Sequence, residues 1–353
     1  MIYWLTLALA FVLAALLTPF SMWLARRWDI LDRPGGRRRH HGNIPRIGGL
    51  AIYGGFVGAN FLIRYLPEGW KPATTDPDEW FRWTGLMLGA TFVTGFGLLD
   101  DKYKFGSGPQ YLAQIVAAGI AIYFTIFIER INNPFGPGQL VFPWPVVWLL
   151  TIFWFLGFIN TVNFLDGVDG LASSVTAVVA VVLAIHMFRT GQYRVALVVL
   201  ALLGSVLGFL VFNWPPAKVF MGSAGSYFLG FTLAALGLIA GARVATVLLV
   251  MGLPIMDVAW LIWWRWRHGK PLFKGDRNHL HFRLLDRGFT ARQIIFAYVV
   301  FGAVFGAIGL MTASTSVKLM ALIALFLVSA SVIFWVSRSE AQSNEERKQT
   351  TRR

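Results

Sequence analysis

Phe158-Ile-Asn-Thr-Val-Asn-Phe-Leu-Asp-Gly-Val-Asp-Gly-Leu171 lies between two uncharged segments, each long enough to cross a membrane. Two amides and two carboxylates recur in it at every third position, namely Asn160, Asn163, Asp166 and Asp169. An i, i+3 spacing places such side chains near one face of a helix. Ionisable groups at a hydrocarbon boundary are costly, so they mark a functional site or a satisfied internal pair. The alternative is a helix-capping loop, which Asx and Gly residues also favour.

The composition of the whole chain agrees with a membrane protein. Of its 353 residues, 56% are hydrophobic and 14% are charged, which excludes a soluble globular protein. Because the chain has no cysteine, disulfides, thiol catalysis and thiolate metal sites are excluded as well. The formal charge of +14 would suit nucleic acid, but the basic residues flank apolar runs. That arrangement is typical of a protein in contact with a membrane surface. The lipid bilayer is therefore the predicted partner, and no binding to nucleic acid is predicted.

Uncharged runs of about 20 residues predict the transmembrane helices. Eleven apolar runs are found, at 1–23, 47–65, 83–99, 107–128, a segment ending near 160, 170–188, 195–212, 226–241, 244–264, 293–312 and 317–336; three of them contain a single charge each, Arg64, Asp257 and Lys318. The predicted fold class is therefore an all-α integral membrane protein. A polytopic membrane domain covers 1–336, and the polar 337–353 segment is predicted to be a disordered cytoplasmic tail.

The basic residues predict the orientation of these spans. Of the 31 Lys and Arg residues, 23 fall in segments that are cytoplasmic if the N-terminus is outside and the C-terminus inside. The first run lacks the basic leading region of a signal peptide, so it is predicted to be a permanent span. This orientation brings Asp100-Asp101, Asp166, Asp169 and the basic 265–292 loop to the cytoplasmic face.

Carboxylates beside basic loops indicate phosphate chemistry. Mg²⁺ is held in proteins by one or two carboxylates together with substrate phosphates. Phosphoryl transfer depends mainly on positioning and charge neutralisation, which a metal and nearby Arg or Lys residues supply. A solvated helix end remains the alternative interpretation of Asp100-Asp101, and Asp257 inside the ninth run also suits a structural pair within the bundle.

Four motifs in this order resemble those of the polyprenyl-phosphate N-acetylhexosamine-1-phosphate transferases, a glycosyltransferase 4 type family. They are Asp100-Asp101; Asn160-Thr-Val-Asn163-Phe-Leu-Asp166-Gly-Val-Asp169-Gly-Leu-Ala; Met221-Gly222-Ser-Ala-Gly225-Ser226; and Asp276-Arg277-Asn278-His279-Leu280-His281-Phe282-Arg283-Leu284. The first loop, with Pro45-Arg46-Ile47-Gly48-Gly49, and Pro254-Ile-Met-Asp257 are also similar to the family. The His-Leu-His-x-Arg-Leu ending resembles the bacterial branch that transfers N-acetylglucosamine-1-phosphate for teichoic acids, O-antigens and related glycans.

The resemblance implies a helical bundle with a catalytic cleft on the cytoplasmic face of the inner, or plasma, membrane, commonly as a homodimer. It implies undecaprenyl phosphate as acceptor, a UDP-sugar as donor and UMP as leaving group. Mg²⁺ is the implied cofactor, with Mn²⁺ as an alternative ion.

The resemblance also implies roles for particular residues. The implied catalytic residues are Asp100, Asp101 and Asp166. The implied substrate-binding residues are Asn160, Asn163, Asp169, Lys104, Arg38, His40, His279, His281 and Arg283. The metal ligands would be Asp100, Asp101 and the residue at position 223. An alternative reading makes Lys104 a snorkelling span-end residue, and makes the Arg37-Arg38-Arg39 run a topology and anionic-lipid signal.

Two positions depart from the family pattern. Phe282 stands where the family usually has His, while His279 and His281 remain. The second is position 223. The family motif reads Gly-Asp-x-Gly-Ser, and its Asp binds Mg²⁺, whereas this chain has Ser223 there. Because a hydroxyl is a weaker ligand for a hard cation, a catalytically impaired member or an inactivated variant stays open beside an active enzyme. A secondary transporter, with Asp166, Asp169 and Asp257 in an ion pathway, is the alternative from another class. It predicts acids near the midplane and inverted repeats, and no repeat is visible in the sequence.

Overall fold

The computed structural model describes residues 1–33, 42–74, 76–133, 136, 138–239, 244–271, 278–312 and 314–350, with side chains as far as 336. The described chain is mostly helical. Its helices are α1 Ile2–Arg27, α2 Gly49–Arg64, α3 Glu79–Tyr103, α4 Ser107–Tyr123, α5 Trp144–Leu165, α6 Leu171–Arg189, α7 Tyr193–Asn213, α8 Gly222–Ile239, α9 Val244–Val250, α10 Gly252–Arg267, α11 Leu280–Asp286, α12 Ala291–Met311 and α13 Thr315–Thr350, with a short 3₁₀ helix at Glu68–Trp70. Two antiparallel strand pairs occupy loops: β1 Leu31–Asp32 with β2 Ile44–Pro45, and β3 Arg130–Asn132 with β4 Gln139–Val141.

The helices are long and apolar enough for a multi-pass membrane protein. Within the described ranges, seven of them can cross a membrane by length and composition: α1, α5, α6, α7, α8, α12 and the Thr315–Val336 part of α13. An eighth is reached if α9 and α10 form one broken span, bent by 81°. The all-helical membrane fold is therefore confirmed, while the count of eleven spans and their orientation stay predictions.

Several predicted boundaries differ from the structure. α5 continues to Leu165, so Asn160 and Asn163 lie in its last turns. α8 begins at Gly222, and the motif around Ser223 is its first turn rather than a loop before a span at 226–241. The predicted ninth span is two helices because the chain bends at Met251. α13 extends past the predicted domain boundary at 336, and the division of the chain there stays a prediction.

α8 is the central helix of the bundle. It packs against α2, α3 and α5, and every residue from Gly222 to Leu238 is buried. Large apolar side chains instead cover the outside of the bundle; Leu16, Phe153 and Phe296 are 69%, 74% and 70% exposed. Apolar side chains at such exposure suit contact with lipid tails rather than water.

A close helix contact sets the position of the site. A Cβ atom at Gly97 of α3 would lie 2.6 Å from the Cα atom of Ala224, so only glycine permits this approach of α3 to α8. Small residues allow such close packing between membrane helices. One turn further along α3, Asp101 therefore meets the N-terminus of α8.

Candidate functional site

Asp101 is bound by the first turn of α8. Its Oδ1 atom accepts a hydrogen bond from the backbone N–H of Ser223 (2.9 Å), and its Oδ2 atom accepts one from Ala224 N–H (3.0 Å). The first N–H groups of a helix have no partner within the helix, and the helix dipole favours an anion there. Asp101 is therefore a buried carboxylate whose two oxygens are held in a fixed direction.

Arg46 is a member of this site that the residue predictions missed. Its Nε atom lies 3.2 Å from Asp101 Oδ1, and its Nη1 atom lies 3.8 Å from Asp32 Oδ1. The neighbouring backbone is fixed, since Phe220 N–H donates to Pro45 O (2.8 Å) and Gly48 N–H donates to Phe220 O (3.0 Å). The only sequence signal for Arg46 was its place in the family-like Pro45–Gly49 segment.

Gly222 makes the junction between Arg46, Asp101 and α8 possible. Its φ angle is +69°, a left-handed conformation that side-chain-bearing residues rarely adopt. A Cβ atom there would lie 2.1 Å from the Arg46 carbonyl oxygen and 2.6 Å from Asp101 Oδ2. The glycine is therefore required by both backbone conformation and space.

Asp166 adds a second carboxylate to the same place. It caps the end of α5, with its N–H donating to Val162 O (3.1 Å). Its carboxyl group interacts with Arg46 and Asp101 and with the backbone N–H of Gly222. Removal from bulk water raises the pKa of Asp166 well above its ordinary value; Arg46 opposes this shift and Asp101 reinforces it.

The amides of the central motif lie along the last turns of α5. Asn163 Oδ1 accepts a hydrogen bond from Ser226 Oγ (3.2 Å), so this residue stays next to the first turn of α8. Asn160 Nδ2 instead donates to Gln114 Oε1 (2.7 Å) and to Leu156 O (2.8 Å). The structure therefore brings Asn163 to the site and pairs Asn160 with α4, a contact that the sequence did not indicate.

Asp100 faces α4 rather than the N-terminus of α8. Its Oδ1 atom accepts from Gln110 Nε2 (2.9 Å) and from Phe105 N–H (3.1 Å), and these bonds close the turn between α3 and α4. Lys104 ends α3 with a φ angle of +53°, and its side chain is exposed. The expected roles of Asp100 and Lys104 in catalysis and substrate binding stay predictions.

Asp169 holds the segment that precedes α8. Its Oδ2 atom accepts from Ala217 N–H (2.9 Å). Asn213 supports the same segment, because its Nδ2 donates to Val219 O (2.9 Å) while its Oδ1 accepts from Gly170 N–H (3.1 Å). Asp169 thus fixes the loop beside the site, and its expected substrate contact stays a prediction.

The two histidines of the fourth motif are buried beside the end of α5. The His279 and His281 rings are parallel, with centroids 5.6 Å apart and an interplanar angle of 3°, and the Phe164 ring centroid lies 4.6 Å from that of His279. Burial lowers the pKa of His281 to about 3, against the pull of Asp257. Arg283 is also buried, and the Phe282 ring packs on Gly167. α11 therefore docks on the loop that carries Asp166.

Asp257 is the second site member that residue prediction did not place. Its Oδ2 atom lies 2.9 Å from His279 Nδ1, and its Oδ1 atom accepts from Leu280 N–H (2.8 Å). The expected polar partner of this acid within the bundle is therefore His279. The available signal was a lone charge after Pro254 in an apolar run.

The acids that the structure describes suit a Mg²⁺ ion that is shared with substrate phosphates. Among the described residues, no three His, Asp or Glu side chains are placed to share one ion. Asp101 and Asp166 interact with each other, and Ser223 binds Asp101 through its backbone N–H, so two carboxylates are available beside the first turn of α8. Because Mg²⁺ is commonly held by one or two carboxylates plus substrate phosphates, this donor set fits a substrate-dependent ion. The predicted substrate-binding residues Arg38 and His40, and Asp276 and Arg277 of the fourth motif, lie outside the described residues.

Bundle and site together define a multi-pass membrane protein with carboxylates, a guanidinium and a helix N-terminus gathered where its helices end. The model of glycosyl transferase family 4 matches residues 83–241, a range that holds Asp101, Asp166 and Ser223.

Three relatives extend the match over most of the chain. The chain is 28% identical to a probable undecaprenyl-phosphate N-acetylglucosaminyl 1-phosphate transferase of Bacillus subtilis, over 93% of this chain and 90% of the relative. It is 33% identical to the decaprenyl-phosphate N-acetylglucosaminephosphotransferase of Mycobacterium tuberculosis, over 82% and 78%. It is 32% identical to the undecaprenyl-phosphate alpha-N-acetylglucosaminyl 1-phosphate transferase of Haemophilus influenzae, over 86% and 83%. The chain belongs to this family of polyprenyl-phosphate phosphoglycosyl transferases.

Proposed function

We propose that this protein transfers N-acetylglucosamine-1-phosphate from UDP-N-acetylglucosamine to undecaprenyl phosphate and releases UMP. The observation that carries the proposal is the convergence of Asp101, Asp166 and Arg46 on the first turn of α8. Such a set suits two phosphate-bearing substrates whose charges must be brought together. The product would be a lipid-linked sugar diphosphate, the first membrane intermediate of a cell-envelope glycan.

The transfer needs one bond made and one bond broken. An oxygen of the lipid phosphate attacks the β-phosphorus of the donor, and the bond from that phosphorus to the oxygen bridging the two phosphates breaks. UMP leaves with the bridging oxygen. A phosphate monoester loses its second proton with a pKa of about 6, so the acceptor is already a nucleophile near pH 7. The acids of the site are therefore assigned to orientation, with proton removal by Asp100 or Asp101 as a secondary role.

Arg46 is assigned to a phosphate of the substrate. Its side chain is 32% exposed, whereas that of Asp101 is fully buried, so its remaining N–H donors can reach a ligand. A guanidinium offers several donors in a planar fork that matches phosphoryl oxygens. Asp101 holds the guanidinium from the protein side, which keeps it in place as the negative charges approach.

The other named residues surround this centre. Asn163 and Asp166 would bind the donor or shape the ion pocket, and His279, His281 and Arg283 would line the donor site from α11. When bound, Mg²⁺ or Mn²⁺ would supply neutralisation of the phosphate charge. Asp101, Asp166 and the Ser223 hydroxyl would hold it together with the substrate.

The cytoplasmic face of a bacterial inner membrane is the proposed location. The clustering of Lys and Arg in 26–46 and 265–292 supports this orientation, and a nucleotide-sugar donor would come from the cytoplasm. A cysteine introduced at Gly42 or Asn278 should resist an impermeant thiol reagent in sealed cells. Labelling of either cysteine from outside would contradict the proposed orientation. A homodimer is proposed on the family resemblance alone.

The assay for this function measures UMP after the purified protein is mixed with UDP-N-acetylglucosamine, undecaprenyl phosphate and Mg²⁺. UMP release should require both substrates, and Asp101→Asn should abolish it without unfolding the protein. Release of UDP, or release of UMP without the lipid, would contradict the proposal.

One observation favours a second candidate, a family member with little or no turnover. The hydroxyl of Ser223 stands where the family resemblance implies a metal-binding carboxylate, and both oxygens of Asp101 already accept backbone hydrogen bonds. Such a protein would bind UDP-N-acetylglucosamine and release no UMP. Comparing donor binding with turnover in the same preparation separates the two candidates.

A further inference from the structure

The carboxylate of Asp257 orients the ring of His279 beside the donor site proposed above. Asp257 lies in α10 and His279 immediately precedes α11, and both side chains are almost completely buried. One carboxylate oxygen of Asp257 accepts from Leu280 N–H, and the other faces His279 Nδ1 at 2.9 Å. The carboxylate thus holds both the start of α11 and the ring in front of it.

An ionised carboxylate has acceptor atoms only, so its bond to His279 requires a hydrogen on Nδ1. A neutral imidazole carries one hydrogen, and the bond at one ring nitrogen determines which nitrogen is protonated. In the neutral ring, this bond leaves His279 Nε2 with a lone pair on the side of the ring away from Asp257. That atom is buried and has no hydrogen-bond partner among the described residues.

The ring has little freedom to turn away from this arrangement. The Phe164 ring centroid lies 4.6 Å from that of His279, and the His281 ring is parallel to His279 with its centroid at 5.6 Å. A buried acceptor without a partner costs free energy, so a site that keeps one in a fixed direction is suited to a donor brought by a ligand.

We propose that Asp257 is a positioning residue that fixes His279 as its Nδ1–H tautomer, so that Nε2 accepts a hydrogen bond from an N–H or O–H group of the nucleotide-sugar. This inference rests on the proposed function and narrows it. A phosphoryl oxygen of the diphosphate carries no hydrogen, so it cannot be the partner of this nitrogen. The partner belongs to the sugar, the ribose or the base.

Asp257→Asn is the informative variant. Its side-chain oxygen can still accept from Leu280 N–H, so the start of α11 keeps its bond. Its NH₂ group would face His279 Nδ1 and place the ring hydrogen on Nε2, as replacement of an orienting Asp by Asn does in other sites. Nε2 then changes from acceptor to donor while the volume stays the same.

The first measurement is the affinity of the full-length protein for UDP-N-acetylglucosamine, read by calorimetry so that turnover is not needed. Asp257→Asn should weaken binding ten- to a hundredfold with an unchanged melting temperature, because two donors would then face each other. Asp78→Asn, the same change at an exposed site on the opposite side of the bundle, should have no effect. Unchanged or tighter binding by Asp257→Asn would show that Nε2 faces a phosphoryl oxygen or nothing, and would overturn the proposal.

A double-mutant cycle distinguishes positioning from a purely structural role. If Asp257 acts through His279, Asp257→Asn should cost nothing further in a His279→Ala background. Additive losses would mean that Asp257 supports the fold by another route.

The tautomer itself has a spectroscopic readout that needs no ligand. Nitrogen NMR of protein labelled in its histidine rings, with His279 assigned through His279→Gln, reports which ring nitrogen carries the hydrogen. The expected state is Nδ1–H in the wild type and Nε2–H in Asp257→Asn. An Nε2–H wild type would refute the proposal directly. If the wild type fails to bind UDP-N-acetylglucosamine, the proposed donor is wrong, and the nitrogen spectrum still decides the tautomer.

Discussion

Ser223→Asp is the substitution with the most consequences for this site. It adds a carboxylate to the first turn of α8, where the Ser223 N–H already holds Asp101 and where Asp166 is adjacent. Three carboxylates would then share one small pocket with Arg46. The variant should bind a divalent ion better and should be less stable when no ion is present.

The size of both effects can be estimated. The new carboxylate would be repelled by Asp101 and by Asp166, by about 4 kcal/mol each at about 4 Å and an effective dielectric constant of about 20, and would be attracted by Arg46 by about the same amount. The dipole of α8 stabilises it by about 0.3–1 kcal/mol. We therefore expect a loss of about 3 kcal/mol in the unfolding free energy of the ion-free protein. Mg²⁺ at a hundred times its dissociation constant would stabilise by about 2.7 kcal/mol and so restore the stability.

Melting temperature and UMP release measured against Mg²⁺ concentration test this prediction. The ion-free variant should melt below the wild type, rise to the wild-type value with Mg²⁺, and turn over faster at lower Mg²⁺. Ser107→Asp, at the exposed start of α4, is the matched control and should change none of these. If the wild type already turns over at full rate and Ser223→Asp gains neither activity nor stabilisation by Mg²⁺, the ion is held elsewhere.

Three further predictions concern neighbouring residues. Asp101→Asn should lower turnover at least a thousandfold, about 4 kcal/mol of transition-state stabilisation, as measured by UMP release; a near-normal rate would remove Asp101 from the site. Asp166→Asn should raise the melting temperature above neutral pH, because burial raises the pKa of Asp166 and its charge therefore destabilises the ligand-free fold. The gain should vanish below the ordinary carboxyl pKa of about 4, and a gain that does not depend on pH would contradict this reasoning. Gly167→Ala should raise KM about tenfold, since its Cβ would lie 2.4 Å from the Phe282 ring and would displace α11. A tenfold loss of affinity corresponds to about 1.4 kcal/mol of binding free energy. Gly119→Ala, which meets nothing within 4 Å, should leave KM unchanged.

The local features of this fold could be predicted from the sequence. Uncharged runs located the membrane helices because their length matches the hydrocarbon thickness. The spacing of Asn160, Asn163 and Asp166 predicted one helical face. α5 does carry both amides, but Asn160 pairs with Gln114 of α4 and Asn163 with Ser226 of α8. The predicted end of α5 and the predicted start of α8 were each wrong by a turn or more, because polar residues at the membrane boundary can lie inside or outside a helix.

The contacts within the site could not be predicted in the same way. Asp101 and Ser223 are 122 positions apart, and their bond depends on how closely α3 packs against α8. Arg46 is one of many basic residues in its loop. These residues indicate a cytoplasmic orientation as a group, so the sequence does not single out Arg46 as a member of the site. Asp257 contacts His279 from α10, which is bent by 81° relative to α9, and hydropathy does not encode such a bend.

The central claim is that the β-phosphorus of the donor moves to the lipid. UDP-N-acetylglucosamine labelled with ³²P at the β-position, incubated with the protein and undecaprenyl phosphate, tests it directly. The account predicts that the label enters the organic phase as a lipid-linked diphosphate, in an amount equal to the unlabelled UMP released. Label that stays in UDP would mean transfer of the sugar alone, and label in water-soluble sugar phosphate would mean hydrolysis; either result would contradict the account.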